Sequence, residues 1–224
     1  MIFFDLDGTL LDHKSSEYLA VKAFYKEYRD FFSIEEEPFY DLWYKVSDKY
    51  FQRYLNGELT FTQQRVERIR EIFSISGTII TDEVAEIRFK TYLQNYVENW
   101  KPFDDVIPCL EELHKYRLGI ISNGDLEQQM LKLERMGIKD YFEVFVTAGD
   151  TGVAKPNPRI FKIACMRAGE EPMQCYYVGD DLKTDILPCN NFGMTGIWIN
   201  RKMEPIELLN TKTIFSLLEL KTVL

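Results

Sequence analysis

The chain begins with an apolar run that breaks at once into acids and glycine, Met1-Ile2-Phe3-Phe4-Asp5-Leu6-Asp7-Gly8-Thr9, and this stretch constrains the fold most. A short apolar run bounded by a turn suits a fully buried strand of a parallel sheet, and alternation along a strand turns Asp5 and Asp7 to one side. Ligands in open parallel sheets bind beyond the carboxyl ends of the strands, where these two acids sit. Two carboxylates there repel each other unless a cation or a shared proton lies between them. A strand followed by an Asp-Gly turn is the plainer reading of the same residues, and only partners elsewhere in the chain can decide.

The chain has 224 residues, of which 46% are hydrophobic, enough for one large domain or two modest ones around a packed core. Its 36 acidic residues outnumber 27 basic ones and leave a net charge of −9, which opposes nonspecific binding to a nucleic acid polymer or an anionic membrane. A phosphate group would have to be held locally. Cys109, Cys165, Cys175 and Cys189 form no CxxC pair and are expected to be buried thiols. No charged leader precedes the first strand and no apolar run reaches the roughly 18 residues of a membrane span, so a cytoplasmic protein without a membrane partner is expected. Nothing in the sequence addresses oligomeric state.

From Leu10 to Glu17 the strand pattern is lost, and Ser15 or Ser16 is a candidate N-cap for a helix. His13, alone in this hinge, is read as structural or solvated rather than catalytic. Helical periodicity then runs to about Asn99 through Val21, Phe24, Tyr25 and Tyr28, then Leu42, Val46 and Phe51, then Val66, Ile69 and Phe73, then Val84, Ile87 and Leu93. Breaks at Glu37-Pro38, Asn56-Gly57-Glu58 and Ser76-Gly77-Thr78 predict about four helices, a small bundle. Its aromatics, from Phe39 to Tyr54 above all, are expected to form the core, with one or two rings free to face a substrate.

Beyond Trp100-Lys101-Pro102 helices alternate with apolar strands. The predicted order is helix 104–116, strand 118–121 ending at Ser122-Asn123-Gly124, a helix with Leu126, Met130 and Leu133 on one face, strand 143–147, a loop containing Val153-Ala154-Lys155-Pro156-Asn157-Pro158, and helix 159–168. Strand 175–178 ending at Gly179-Asp180-Asp181, helix 185–192 and strand 195–199 complete it. The expectation is an α/β chain: a Rossmann-like parallel five-stranded sheet flanked by helices, from residues 1–14 and 100–224, with a helical bundle inserted at 15–99.

Polar residues recur at or soon after the strand ends: Asp5 and Asp7, Ser122 and Asn123, Lys155, and Asp180, Asp181 and Asp185. Ser122 and Asn123 can bind phosphate, with N–H groups near Gly124 adding positive potential, and Lys155 can neutralise phosphate and carboxylate alike. Asp5, Asp7, Asp180 and Asp185 offer the hard oxygen ligands that Mg²⁺ requires.

Asp-Leu-Asp-Gly-Thr, Ser-Asn-Gly, Lys-Pro-Asn-Pro and Gly-Asp-Asp-Leu-Lys-Thr-Asp, in that order, resemble the four motifs of the haloacid dehalogenase superfamily. The resemblance covers residues 1–14 and about 100–200, and the helical insert resembles the family's cap, the part that varies with substrate. It implies a nucleophile at Asp5, a general acid/base at Asp7, a phosphate ligand at Ser122, a charge clamp at Lys155, metal ligands at Asp5, Asp7 and Asp180, and a supporting acid at Asp185. The chemistry is consistent: a carboxylate attacks phosphorus only if a metal and a lysine quench the repulsion between the two anions. The implied activity is Mg²⁺-dependent hydrolysis of a small phosphomonoester through an aspartyl-phosphate. Leu10-Leu11-Asp12-His13, the aromatic insert and the Val153–Pro158 stretch resemble the pyrimidine 5′-nucleotidase branch, so a nucleoside 5′-monophosphate is one expected substrate. A phosphomutase, a 2-haloacid dehalogenase and a non-catalytic phosphate-binding regulator are the alternatives. Asp7 argues against the dehalogenase branch, which lacks it.

Overall fold

Ile2, Phe3 and Phe4 form β1 (Ile2–Phe4), and all three side chains are fully buried. Such a strand must be paired on both edges, and in the computed structural model, which describes residues 1–205 and 211–224, it pairs in parallel with β2 (Leu118–Ser122) and β4 (Tyr176–Gly179). The sheet extends through β3 (Val144–Thr147) on one side and β5 (Thr195–Ile199) and β6 (Lys212–Ile214) on the other, in the order β3-β2-β1-β4-β5-β6. This is a Rossmann-like α/β sheet whose strand order reverses between β1 and β4, where a doubly wound sheet opens its ligand crevice. One strand more than expected is present. The sixth, Lys212-Thr213-Ile214, has one buried residue in three at the sheet edge, too little apolar pattern for sequence reading to detect.

The chain divides into two compact units, Met1–Asp12 with Lys101–Leu224, and His13–Trp100. In the first, α5 (Val106–Glu112), α6 (Leu126–Arg135), a single turn α7 (Ala148–Thr151), α8 (Pro158–Ala168) and α9 (Leu187–Phe192) connect the strands. Each longer crossover has recognisable end signals: Asp125 caps α6, Asn157 caps α8 with Pro158 at its first position, and Gly169 closes α8 in the left-handed conformation. A π turn, Leu182–Ile186, precedes α9 where one continuous helix was expected. Arg201 ties the loop after β1 to the far end of the chain. Its guanidinium donates to both oxygens of Asp105 at 3.0 and 2.9 Å and to the Thr9 carbonyl at 2.8 Å, while Asp105 also accepts from Ser216 Oγ and Leu217 N.

The second unit consists of α1 (His13–Glu27), α2 (Glu36–Leu55), α3 (Phe61–Ile75) and α4 (Asp82–Glu98), with α1 packed on α2 and α4 and α3 on α2 and α4. Its centre is aromatic: Phe24 and Trp43 lie 4.9 Å apart between ring centroids, and Trp43 and Tyr92 4.6 Å. Three details depart from the sequence reading. First, α1 starts at His13, and Ser16, a candidate cap, is buried inside it, donating to the Asn99 carbonyl. Second, α2 starts at Glu36, so Pro38 sits in its first turn, where no intrahelical N–H is lost. Third, the buried face of α4 is Ala85, Phe89, Tyr92 and Tyr96, while Ile87 is 62% exposed, because the large aromatics outcompete the aliphatic repeat for the interior.

All four cysteines are buried free thiols. Among the described residues no helix is long and apolar enough to cross a membrane.

Candidate active site

β1 ends at Phe4, and the next residue, Asp5, keeps its N–H on the Val178 carbonyl of β4. Its carboxylate is therefore fixed at the switch point of the sheet, 5% exposed. Lys155 Nζ donates to Asp5 Oδ1 at 2.6 Å, to Asp185 Oδ1 at 2.7 Å and to the Tyr177 hydroxyl at 2.8 Å. Those three acceptors use all the hydrogens of an ammonium. Burial works against the charge on Lys155, but Asp185 and Asp5 outweigh it, and its pKa lies above the ordinary value.

Asn123 and Tyr177 hold this lysine in place. The Lys155 N–H donates to Asn123 Oδ1 at 2.7 Å, and Asn123 Nδ2 donates to the Lys155 carbonyl at 3.0 Å. The side chain expected to bind phosphate thus has both polar ends on the Lys155 backbone. Tyr177, inside an apolar strand, carried no sign of a polar task in the sequence, yet its hydroxyl lies 3.1 Å from both the Ile121 carbonyl and Asp185 Oδ1.

Asp5, Asp180 and Asp185 present carboxylate oxygens within 4.8 Å of one another. Asp185, in the π turn, is spoken for by Lys155, Tyr177 and the Asp181 N–H. Asp180, just past β4, has its backbone held by the Trp198 indole at 3.0 Å, but its carboxylate has no hydrogen-bond donor among the described residues. Burial, reinforced by Asp185 and eased by Lys155, lifts its pKa to about 6. Burial likewise holds the Asp5 carboxyl well above the usual range, against the pull of Lys155. Three carboxylates thus surround one ammonium, a surplus of negative charge that fits a hard divalent cation. Asp181, beside them, caps the π turn by accepting from Lys183 N and Thr184 N.

Asp7 is not one of that trio. The strand has ended before it, so its position follows from the turn at Gly8 (φ +91°) and not from alternation. Lys132 Nζ donates to its two oxygens at 2.6 and 2.8 Å, and Gln129 Nε2 to one of them at 2.8 Å. Gln129 Nε2 also donates to Ser122 Oγ, at the end of β2, at 2.7 Å. On α6 the aliphatic face was expected to be Leu126, Met130 and Leu133. Leu133 is buried, but so are Gln129 and Lys132, which no sequence signal separated from a solvated helix face. The N-terminus of α6 is capped by the Asp125 carboxylate, which accepts from Gln128 N, so the positive potential expected there is already partly answered.

His13, in the helical unit, has Nδ1 2.5 Å from the Tyr96 hydroxyl and Nε2 3.8 Å from Glu17. Of the aromatics from Phe39 to Tyr54, Phe39, Trp43 and Tyr50 are buried, whereas Tyr44 is 51% exposed and Tyr40 partly so. Tyr40 meets Tyr18 edge to face at 5.2 Å beside a cavity of about 470 Å³ that Lys14, Ser15 and Leu19 also line.

A family model described as haloacid dehalogenase-like hydrolase matches residues 1–193. Pyrimidine 5′-nucleotidase YjjG of Escherichia coli is 30% identical over all of this chain and 96% of its own length. Glyceraldehyde 3-phosphate phosphatase of Methanothermobacter thermautotrophicus is 31% identical over 92% of this chain and 88% of its own. Among solved structures, the HAD-hydrolase YfnB of Bacillus subtilis, bound to magnesium, superposes with a TM-score of 0.79 over 99% of this chain and 96% of its own at 21% identity, a likeness of fold.

Proposed function

Since the chain belongs to the haloacid dehalogenase-like hydrolases, we propose that it is a Mg²⁺-dependent phosphatase that hydrolyses a small phosphomonoester through an aspartyl-phosphate on Asp5. The observation that carries the reading is the buried junction of Asp5, Lys155 and Asp185 beside an Asp180 carboxylate without a hydrogen-bond donor among the described residues. Asp5 and Asp180 would hold the metal, with Asp185 behind them already bonded to Lys155 and Tyr177. Bound there, Mg²⁺ would neutralise charge on the acids and on the phosphoryl oxygens. Although Asp7 was expected among the metal ligands, its carboxylate is engaged by Lys132 and Gln129, donors that favour its ionised form and so its part as the base towards water.

In the first half-reaction an Asp5 oxygen bonds to phosphorus as the ester P–O bond breaks, and Asp7, ionised beside Lys132 at rest and protonated from solvent when the phosphate dianion binds, passes that proton to the departing oxygen. In the second, Asp7 takes a proton from water as that water attacks the phosphorus, releasing inorganic phosphate and restoring the Asp5 carboxylate. Lys155 offsets the charge that accumulates on Asp5 and the phosphoryl group, and Ser122 donates to a phosphoryl oxygen.

The helical unit, inserted in sequence between the first and second motifs, is assigned the choice of leaving group, acting as a cap about hinges at His13–Ser15 and Trp100–Pro102. A nucleoside 5′-monophosphate is the favoured substrate, supported by the full-length similarity to a protein named as a pyrimidine 5′-nucleotidase. The deciding experiment is a panel of nucleoside monophosphates, sugar phosphates and phosphoglycolate assayed with and without Mg²⁺. Metal-dependent release of phosphate, greatest from pyrimidine nucleotides, supports the reading. Absence of hydrolysis across the panel overturns it.

A further inference from the structure

One side chain links two groups of the site that come from different strands. Gln129 is 1% exposed, and its Nε2 lies 2.8 Å from Asp7 Oδ2 and 2.7 Å from Ser122 Oγ. An ionised carboxylate only accepts, so the amide must turn Nε2, not Oε1, towards Asp7, and its two hydrogens then serve one acceptor each. The orientation is costly: Gln129 Oε1 is a buried acceptor without a hydrogen-bond partner among the described residues. A residue present only to fill space would not need to strand an oxygen, and an apolar side chain of the same shape would avoid the loss.

The Ser122 oxygen accepts from Gln129 and faces the Gly124 N–H at 3.4 Å. With donors already on its lone pairs, the hydroxyl retains its own hydrogen for a further acceptor, and phosphoryl oxygens are acceptors. Gln129 thereby fixes Ser122 as a donor. At Asp7 the same amide, together with Lys132 Nζ one turn along α6, fixes the plane of the carboxylate through three contacts of 2.6 to 2.8 Å. Gly124 makes room for this: a Cβ there would lie 2.4 Å from Gln129 Cδ and 2.6 Å from Nε2. The glycine of Ser-Asn-Gly is where the glutamine passes.

We infer that Gln129 is a positioning residue for phosphoryl transfer, setting Ser122 as a phosphate donor and aligning Asp7 through a single amide. This rests on the roles proposed above for Ser122 and Asp7. It predicts two separable effects, one on phosphate affinity through Ser122 and one on turnover through Asp7.

The test is a pair of double-mutant cycles on the full chain in Mg²⁺, reading inorganic phosphate Kd and kcat for p-nitrophenyl phosphate. Gln129→Met keeps the shape and removes the donor; Gln129→Glu keeps the shape and replaces the donor by an acceptor. Loss of one hydrogen bond should raise the phosphate Kd about fivefold in Gln129→Met, with a larger rise in Gln129→Glu. The effect on Kd should disappear in a Ser122→Ala background, and the effect on kcat should disappear in an Asp7→Asn background. Gly124→Ala, which displaces the same amide, should reproduce the pattern and serves if Gln129→Met fails to unfold cooperatively. Wild-type Kd and kcat in folded Gln129→Met, or an equal loss of phosphate affinity with and without the Ser122 hydroxyl, would overturn the inference. If Ser122→Ala weakens phosphate binding while the Gln129 variants are silent, this inference alone fails. A wild-type protein that neither binds phosphate nor cleaves the ester removes the underlying reading and this inference with it.

Discussion

Asn123 grips Lys155 by its main chain, accepting the lysine N–H at 2.7 Å and donating to its carbonyl at 3.0 Å, and so sets the point from which Nζ reaches both Asp5 and Asp185. Asn123→Ala should cost about 1–3 kcal/mol of stability for two lost hydrogen bonds. It should also lower kcat/KM at least about tenfold, since a displacement of an ångström in a catalytic group is worth more than that. Thermal unfolding beside steady-state kinetics checks both. A stable variant with wild-type turnover would show that Lys155 needs no such support.

Gly8 stands against Asp180 in the same way: a Cβ on Gly8 would lie 2.5 Å from Asp180 Oδ2, and its φ of +91° already disfavours other residues. Gly8→Ala is therefore expected to destabilise the core unit by more than about 1 kcal/mol and to raise the Mg²⁺ concentration at half-maximal activity. Denaturant unfolding and a metal titration read the two effects separately.

Chelation should stop hydrolysis, and Asp180→Ala should demand more Mg²⁺ to restore it, because the variant removes the carboxylate of the trio that has no hydrogen-bond donor among the described residues and is open to a cation. Full activity in EDTA contradicts the metal site.

In the helical unit, burial divides the aromatics into two classes. Trp43 is fully buried against Phe24 and Tyr92, so Trp43→Ala should cost about 3–5 kcal/mol without re-ranking substrates. Tyr40 and Tyr44 have solvent-facing area, and Tyr40→Ala or Tyr44→Ala should change the order of preference among phosphomonoesters at little cost in stability. An unchanged ranking across both variants argues that these rings only pack.

Strong local patterns were legible in the sequence. The apolar strands from Ile2 to Ile199, the glycine and proline punctuation, and acids placed at strand ends are enough to imply a parallel sheet and its crevice. Signals that depend on tertiary context were not. Lys212–Ile214 becomes a strand only because β5 offers an edge, and α1 begins at His13, before either serine that could have capped it. Gln129 and Lys132 looked like a solvated helix face. Only the fold, by bringing α6 to the turn after β1 from 122 and 125 residues away, gives them a carboxylate to hold. Tyr177 was hidden likewise, an aromatic in an apolar run until Lys155 and Asp185 arrive at its hydroxyl.

Phosphorylation of Asp5 during turnover is tested at the bond itself by acid quenching followed by borohydride reduction, because reduction of an acyl-phosphate leaves homoserine where an aspartate stood. With Asp7→Asn, water activation is removed while p-nitrophenyl phosphate still leaves without a proton donor, so the adduct should accumulate. Peptide mass spectrometry should then find homoserine at position 5 in substrate-treated protein, none in untreated protein, and none in Asp5→Asn, which should also be folded and inactive. Turnover in Asp5→Asn at the wild-type rate, or an active enzyme whose residue 5 is never modified, would contradict a covalent intermediate on Asp5.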